Sequence, residues 1–524
     1  MTSHDTLDSI ETREGALGSK IVIGSAVCCL MVGVIFRAMA AGDCLWLDEQ
    51  HTAWAAKSGL ADVAGRAADG NQTPLYFYCC WAAVQCGGES ALSVRLPSLL
   101  CGLALMTIVS LAIYRRTQSA ASLLVVSAFL LLDYDSVFYA SEARPYVMVQ
   151  LLGVIQAAVF YNWISASLSN EMVQRSRTYL WGVAAAVLAA MIFYTHPTGM
   201  LLIVAEVVFL GGLVLMRRKL PWRSLIAAAM LGAVLVLPGV VMISFIWQRR
   251  ENWTSVTDPQ QVFSALAIQT LVLMAWPILI LVFDSCITFR DNRLWPSERR
   301  RFIFIACWAL IPSLTIVALD FAGWLPLAIG RYAIVGAVAF PIFASLMIGE
   351  VRNNLLRAVA ALAIVGWLAW FSQTAGQVKD GGLRHENWKR VVEIINAEDE
   401  SLPVFLVANL IEDKWAESDQ SDGFQRYLGF PLRGIPTVTA PQRIVPRPSQ
   451  GEILSAENLA LIAESGGGLV VVRDLEVYRD AIRLEIIAAL QENPLTMSAE
   501  LYAAPIDFPR PNNVHLFLIK SGRN

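Results

Sequence analysis

Charge is scarce along this chain. Only 16% of its 524 residues are Asp, Glu, Lys or Arg, while 56% are hydrophobic. A soluble protein of this size carries about 25% charged residues, so much of the surface must face something other than water. The balance is also close to neutral. A formal net charge of −3 gives no global field to draw nucleic acid, and no zinc-finger or RNA-binding motif appears. Cysteine is missing beyond Cys307, and the nine present follow neither disulfide-framework nor metal-ligand spacing. Two readings stay open for Cys44: pairing with one of Cys79, Cys80 or Cys86, or plain apolar filling. There is no internal repeat and no low-complexity tract. Gly466-Gly467-Gly468 precedes a strand pattern rather than a helix, which excludes a phosphate loop.

What the chain has instead is long apolar runs, with a mean hydropathy of +0.53. A hydrocarbon core of about 30 Å needs roughly 20 apolar residues as helix. Stretches that meet or approach this are 21–41, 92–114, 120–137, 146–164, 179–194, 198–216, 224–246, 263–287, 302–321, 332–349 and 355–371. The expectation is an all-α polytopic membrane domain of roughly eleven transmembrane helices. The first run follows a polar leader, longer and less basic than a secretory n-region, and reads as a retained span. Residues 74–86 are apolar but short, and read as a helix lying at the interface.

Cations sort the loops. Arg115 and Arg116, Arg175 and Arg177, Arg217 to Arg223, Arg290 to Arg301, and Arg352 with Arg357 fall on one side. By the positive-inside rule that side and the N-terminus are cytoplasmic, in a multi-pass protein of the cell inner (plasma) membrane. Three regions result: a cytoplasmic tail at 1–20, a transmembrane domain at 21–372, and a soluble extracytoplasmic α/β domain at 373–524. In the last, 404–409, 468–473 and 514–520 read as strands, and 385–396 and 478–490 as helices.

Ionisable residues beside lipid are costly and therefore informative. On the outer side stand Asp48, Glu49 and His51; Asp133, Asp135, Glu142 and Arg144; His196; Arg249, Arg250 and Glu251; and Arg331. They come from distant runs but share one predicted depth. Asp48 and Glu49 are about 100° apart on a helix, so one can face a cleft while the other anchors the loop. The plainer alternative is an acidic helix start. Glu142 with Arg144 reads either as a structural ion pair or as a substrate contact. Asp133 and Asp135 have DxD spacing, a weak metal signal. His196 either bonds backbone at a helix end or meets a phosphate. Arg331 either snorkels to head groups or forms a fork for a lipid phosphate.

Taken in order, several segments resemble the GT-C superfamily of integral-membrane glycosyltransferases, in the protein O-mannosyltransferase and aminoarabinose transferase branch. They are Leu47-Asp48-Glu49, Thr73-Pro74-Leu75-Tyr76-Phe77, the stretch from Ser93 to Ser98, Tyr139 to Tyr146, Thr195-His196-Pro197, Gly330-Arg331-Tyr332, and His385-Glu386-Asn387-Trp388-Lys389. Thr73 departs from the family's first proline, and Asn71 and Gln72 stand where a histidine is often seen. The resemblance implies a GT-C-like fold and transfer of sugar from a polyprenyl-phosphate donor to an extracytoplasmic glycan, lipid or protein acceptor, with inversion. It implies Asp48 as the base, with Glu49 beside it in the catalytic motif. It implies substrate binding by Glu142, Arg144, His196, Arg249, Arg250, Arg331 and Tyr332. A divalent metal held by Glu49 or Glu142 stays open beside a purely cationic route. The expected partners are the donor and membrane lipid, with no nucleic acid. The rival is a transporter or flippase of lipid-linked substrates, against which stand the missing repeat and the outer placement of the charges.

Overall fold

In the computed structural model, the described residues are 3–42, 44–168, 175–248, 259–287, 296–323, 330–371, 386–410, 420–447, 454–473, 479–492, 501–506 and 513–521. They form two compact units. The first comprises Met1–Ala40, Pro97–Arg250 and Thr254–Asp380; the second comprises Ala41–Leu96, Glu251–Trp253 and Gly381–Asn524. The division differs from the expected boundary at 372. The segment after the first apolar helix belongs with the C-terminal residues, because its apolar side chains enter the same core.

The first unit is helical. Among the described residues, eight helices are long and apolar enough to cross a membrane: Val22–Ala40, Ala91–Thr117, Tyr146–Leu168, Thr178–Thr195, Pro197–Leu215, Trp222–Ser244, Leu266–Cys286 and Glu298–Phe321. Ala91–Leu96, at the start of the second of these, counts with the other unit. The expected run at 120–137 is a broken pair, Ala120–Leu132 and Tyr134–Ala140, bent by 63°; counted as one span it makes nine. The runs at 332–349 and 355–371 are the shorter apolar helices Ile334–Glu350 and Asn354–Trp370. Among the described residues, eight or nine of the eleven expected spans are thus long enough to cross.

The break at Asp133 has a local cause. Asp133 is extended (ψ 119°), closes one helix and caps the next, its Oδ2 accepting from Ser136 N at 2.8 Å. A helix end leaves carbonyls without intrahelical donors. Arg37 meets one of them and ties it to the next helix: its guanidinium donates to Leu130 O at 2.8 Å, and to Ser136 O at 3.1 Å, Ser136 Oγ and Gly33 O. An arginine inside an apolar helix is thus used to close a kink. Farther on, Gln156 Nε2 donates to Glu206 Oε1 at 3.0 Å, joining two neighbouring apolar helices through a polar pair.

The second unit is built on a five-stranded sheet: β1 (Val404–Val407), β2 (Ile444–Pro446), β3 (Gly467–Arg473), β4 (Leu501–Ile506) and β5 (Val514–Ser521), in the order β2-β1-β3-β5-β4. β1 runs parallel to β2 and β3, while β5 is antiparallel to β3 and β4. Side chains alternate across the sheet. Val404, Leu406, Leu469, Val471, Val514 and Leu516 face a core shared with Trp388, Val391 and Ile395. Phe405, Val407, Val470, Val472, Phe517 and Ile519 face another, closed by Leu459, Ile462 and Ile486. Pro446 stands on the edge strand, where a missing N–H is tolerated. The glycine triplet is structural. Gly466 takes the left-handed conformation (φ +71°) that ends the helix Ala456–Ser465. At Gly467 a Cβ would stand 2.5 Å from Ile519 O.

Three helices from the segment after the first apolar helix belong to the same unit: Leu47–Ala56, Val63–Asp69 and Pro74–Gly87. Leu47 and Trp54 enter the core that holds Trp388. Proline opens the third helix, where its missing donor costs nothing. All nine cysteines are free thiols, so Cys44 takes none of the pairings considered; its Sγ contacts Asn387 Oδ1 at 3.3 Å.

Candidate functional site

The first unit gathers one set of the expected residues. Tyr139-Ala140-Ser141-Glu142-Ala143-Arg144-Pro145-Tyr146 closes the bent pair and opens the next helix. Glu142 and Arg144 are buried, and Ser98 Oγ donates to Arg144 O at 3.2 Å. His196 occupies the tight turn between Thr178–Thr195 and Pro197–Leu215 and is 6% exposed. Arg331 and Tyr332 lie in the short 3₁₀ turn Gly330–Tyr332. The rings interlock: Tyr139 to Tyr146 at 5.0 Å, Tyr146 to His196 at 5.6 Å, and His196 stacked on Tyr332 at 5.8 Å. The Arg331 guanidinium lies 5.5 Å from the Tyr332 ring centre.

His196 is neutral here. Burial first, and then the charges of Arg144 and Arg331, push it down to about 3. Its Nδ1 accepts from Thr198 N at 3.4 Å and lies 2.8 Å from Thr198 Oγ1. The remaining proton of the neutral ring is then on Nε2, which is a donor. Two guanidinium groups and a neutral N–H donor in one aromatic-lined place suit an anion of phosphate type.

The second unit holds the acidic motif. Leu47–Ala56 begins with half of a capping box: Glu49 Oε2 accepts from Trp46 N at 3.3 Å. The same carboxylate is bound by Arg95, whose Nε donates to Oε1 at 2.7 Å and whose Nη2 reaches Oε2; neither side chain is exposed at all. Arg95 also donates to Ala41 O and Cys44 O, both at 2.9 Å. Gln50 and Ile435 exchange two hydrogen bonds, of 3.1 and 3.0 Å. His51 is buried against Phe77, Trp54, Tyr427 and Phe430, with Nε2 2.8 Å from Arg66 O. Nine of the ten helix residues are buried, and Asp48 is the exception.

Of the expected pair, Glu49 is the buried anchor and Asp48 is only partly buried. Arg249 and Arg250 lie outside the described residues, as does His385. Among the described residues no three His, Cys, Asp or Glu side chains stand close enough to share a metal ion. Of the two acids considered for a metal, Glu49 has both oxygens on Arg95. Sequence reasoning passed over Arg95 and Glu386 as site residues. The available signals were a cation inside an apolar helix, and an acid two residues before a tryptophan.

No family model matches the chain, and no curated protein matches it. Solved structures do. One is ArnT from Cupriavidus metallidurans in the apo state, with a TM-score of 0.43 at 12% identity, over 96% of this chain and 98% of that one. The same protein bound to undecaprenyl phosphate gives 0.41 at 12% identity, over 95% and 98%. The oligosaccharyltransferase of Archaeoglobus fulgidus, in complex with Zn and sulfate, gives 0.49 at 12% identity, over 95% of this chain and 73% of that one.

Proposed function

We propose that this chain is an integral-membrane glycosyltransferase that moves a sugar from a polyprenyl-phosphate carrier to an extracytoplasmic acceptor. The N-terminus would be cytoplasmic and the C-terminal region extracytoplasmic, as the cation asymmetry of the loops directs. What carries the reading is the meeting of Arg144, His196 and Arg331 from three segments far apart in sequence. Two guanidinium groups and an N–H donor drawn from distant segments suit a single phosphate-type anion.

The chemistry then follows from the groups. The acceptor hydroxyl or amine attacks the anomeric carbon and gives its proton to a carboxylate. The resemblance of the acidic motif implies Asp48 for that carboxylate, and its partial exposure in an otherwise buried helix supports the choice. The bond from the anomeric carbon to the phosphate oxygen breaks, and the phosphate leaves with the electron pair. It departs as an anion and needs cations rather than a general acid. Arg144 and Arg331 supply them, and Tyr146 and Tyr332 keep the place shielded from water. A single displacement inverts the anomeric centre.

The test uses purified protein in nanodiscs with a panel of radiolabelled polyprenyl-phosphate sugars. Wild type should turn over at least one donor, and Asp48→Asn should lose on the order of 10³-fold or more in rate while still binding it. A variant that transfers sugar at the wild-type rate removes Asp48 as the base.

A further inference from the structure

We infer that Glu386, held by Arg473, is a positioning residue for Asp48, so that the C-terminal sheet sets the aim of the base. The inference rests on the reading of Asp48 as the base and adds residues that the acidic motif does not contain. Glu386 precedes the sheet by a single short helix and has only 5% of its surface exposed. Hydrogen bonds to its carboxylate join three parts of the unit. Oε2 accepts from Leu47 N at 2.8 Å and from Trp388 Nε1 at 2.8 Å. Oε1 accepts from Arg473 Nε at 2.8 Å, at the last residue of β3.

Leu47 is the first residue of the helix that carries Asp48, and its N–H is one of the donors a helix start leaves unmet. A carboxylate placed there binds that donor and is favoured by the positive end of the helix. The same helix turn is held at two further points: Glu49 on Arg95, and Gln50 on Ile435. Both chain neighbours of Asp48 are thus fixed, while its own side chain is only partly buried. A local N-cap would serve a merely structural helix equally well. Here the cap comes from 339 residues away and is itself clamped by the central sheet. That arrangement fixes direction as well as stability.

Charge provides a readout that packing alone does not move. Glu386 puts a negative charge within the first turn beside Asp48. A like charge raises a carboxylate's pKa, so its removal lowers it. A base works only when deprotonated, so the acid limb of the rate profile should move to lower pH.

The experiment uses the full chain in nanodiscs and measures transfer for wild type, Asp48→Asn, Glu386→Gln and Glu386→Asp. Glu386→Gln is expected to lower kcat on the order of tenfold with donor KM within about twofold. Its acid limb should shift down by a few tenths of a pH unit, roughly. Hydrogen exchange at the amides of residues 47–50 should quicken while β1 and β3 stay protected. Glu386→Asp keeps the charge but shortens the reach, so it should lower kcat without moving the acid limb; it also decides the matter if Glu386→Gln fails to fold. Loss of transfer in Asp48→Asn, with wild-type kcat and acid limb in Glu386→Gln, overturns the positioning role alone. Transfer that survives Asp48→Asn overturns the base assignment, and the inference with it.

Discussion

Glu49 and Arg95 show how much one buried pair can weigh. Neither side chain touches water, and each answers the other's charge. Breaking such a pair from one side leaves an uncompensated buried ion, a loss of about 3–5 kcal/mol. Arg95→Leu should therefore lower the melting temperature steeply. The double variant Arg95→Leu with Glu49→Leu should recover most of the loss, since two apolar groups leave no orphan charge. A double-mutant cycle read by thermal melting checks both statements. His196 makes a second prediction at this scale, and its sign follows from its shift. Its folded pKa, about 3, lies below the ordinary 6.5. Between those values the unfolded chain binds a proton that the folded chain does not. The stability it contributes is complete above about 6.5 and falls as pH drops toward 3, by up to about 1.4 kcal/mol per unit. His196→Gln should flatten that slope in pH-dependent melting curves. Arg144 and Arg331 were visible in the sequence as cations at a predicted boundary. Their common action on one histidine was not, because it depends on three segments meeting.

Elements carry the next level of cause. The helix Leu47–Ala56 packs so tightly on its neighbours that a glycine is required opposite it. At Gly70 a Cβ would stand 2.3 Å from the His51 ring, which is itself wedged among Trp54, Phe77, Tyr427 and Phe430. The ring cannot swing aside without breaking several aromatic contacts. Gly70→Ala should then destabilise by roughly 1–3 kcal/mol, read as a drop in melting temperature with cooperative unfolding retained. Apolar runs forecast most long helices to within a few residues, since 3.6-residue periodicity and length suffice. Strands at 404–409, 468–473 and 514–520 were also legible, each being a short β-branched run. The break at Asp133 was not. A lone acid at the end of an apolar run reads the same whether the helix continues or turns, and Arg37, which bridges Leu130 O before the turn and Ser136 O after it, comes from a distant helix.

For the whole molecule, the grouping of Ala41–Leu96 with Gly381–Asn524 is the fact with most consequence. The C-terminal sheet is no appendage, because Leu47 and Trp54 complete its core. A chain ending at residue 380 would leave those side chains bare and Leu47 N without Glu386. It should fail to accumulate as a monodisperse protein in detergent, whereas the full chain does; size-exclusion chromatography of the two decides.

The sequence by itself determined the membrane character, the course of the long helices, the three buried strands and the shortlist of charged residues. Each depends on local chemistry: apolar length against a bilayer, side-chain periodicity, and the cost of charge near lipid. The tertiary structure alone decided which of two adjacent acids is fully buried on an arginine and which is only partly buried. It also decided that an arginine closes a kink, and that Glu386 starts a helix 339 residues upstream. Those outcomes rest on hydrogen bonds and ion pairs between distant segments, whose partners no local pattern names.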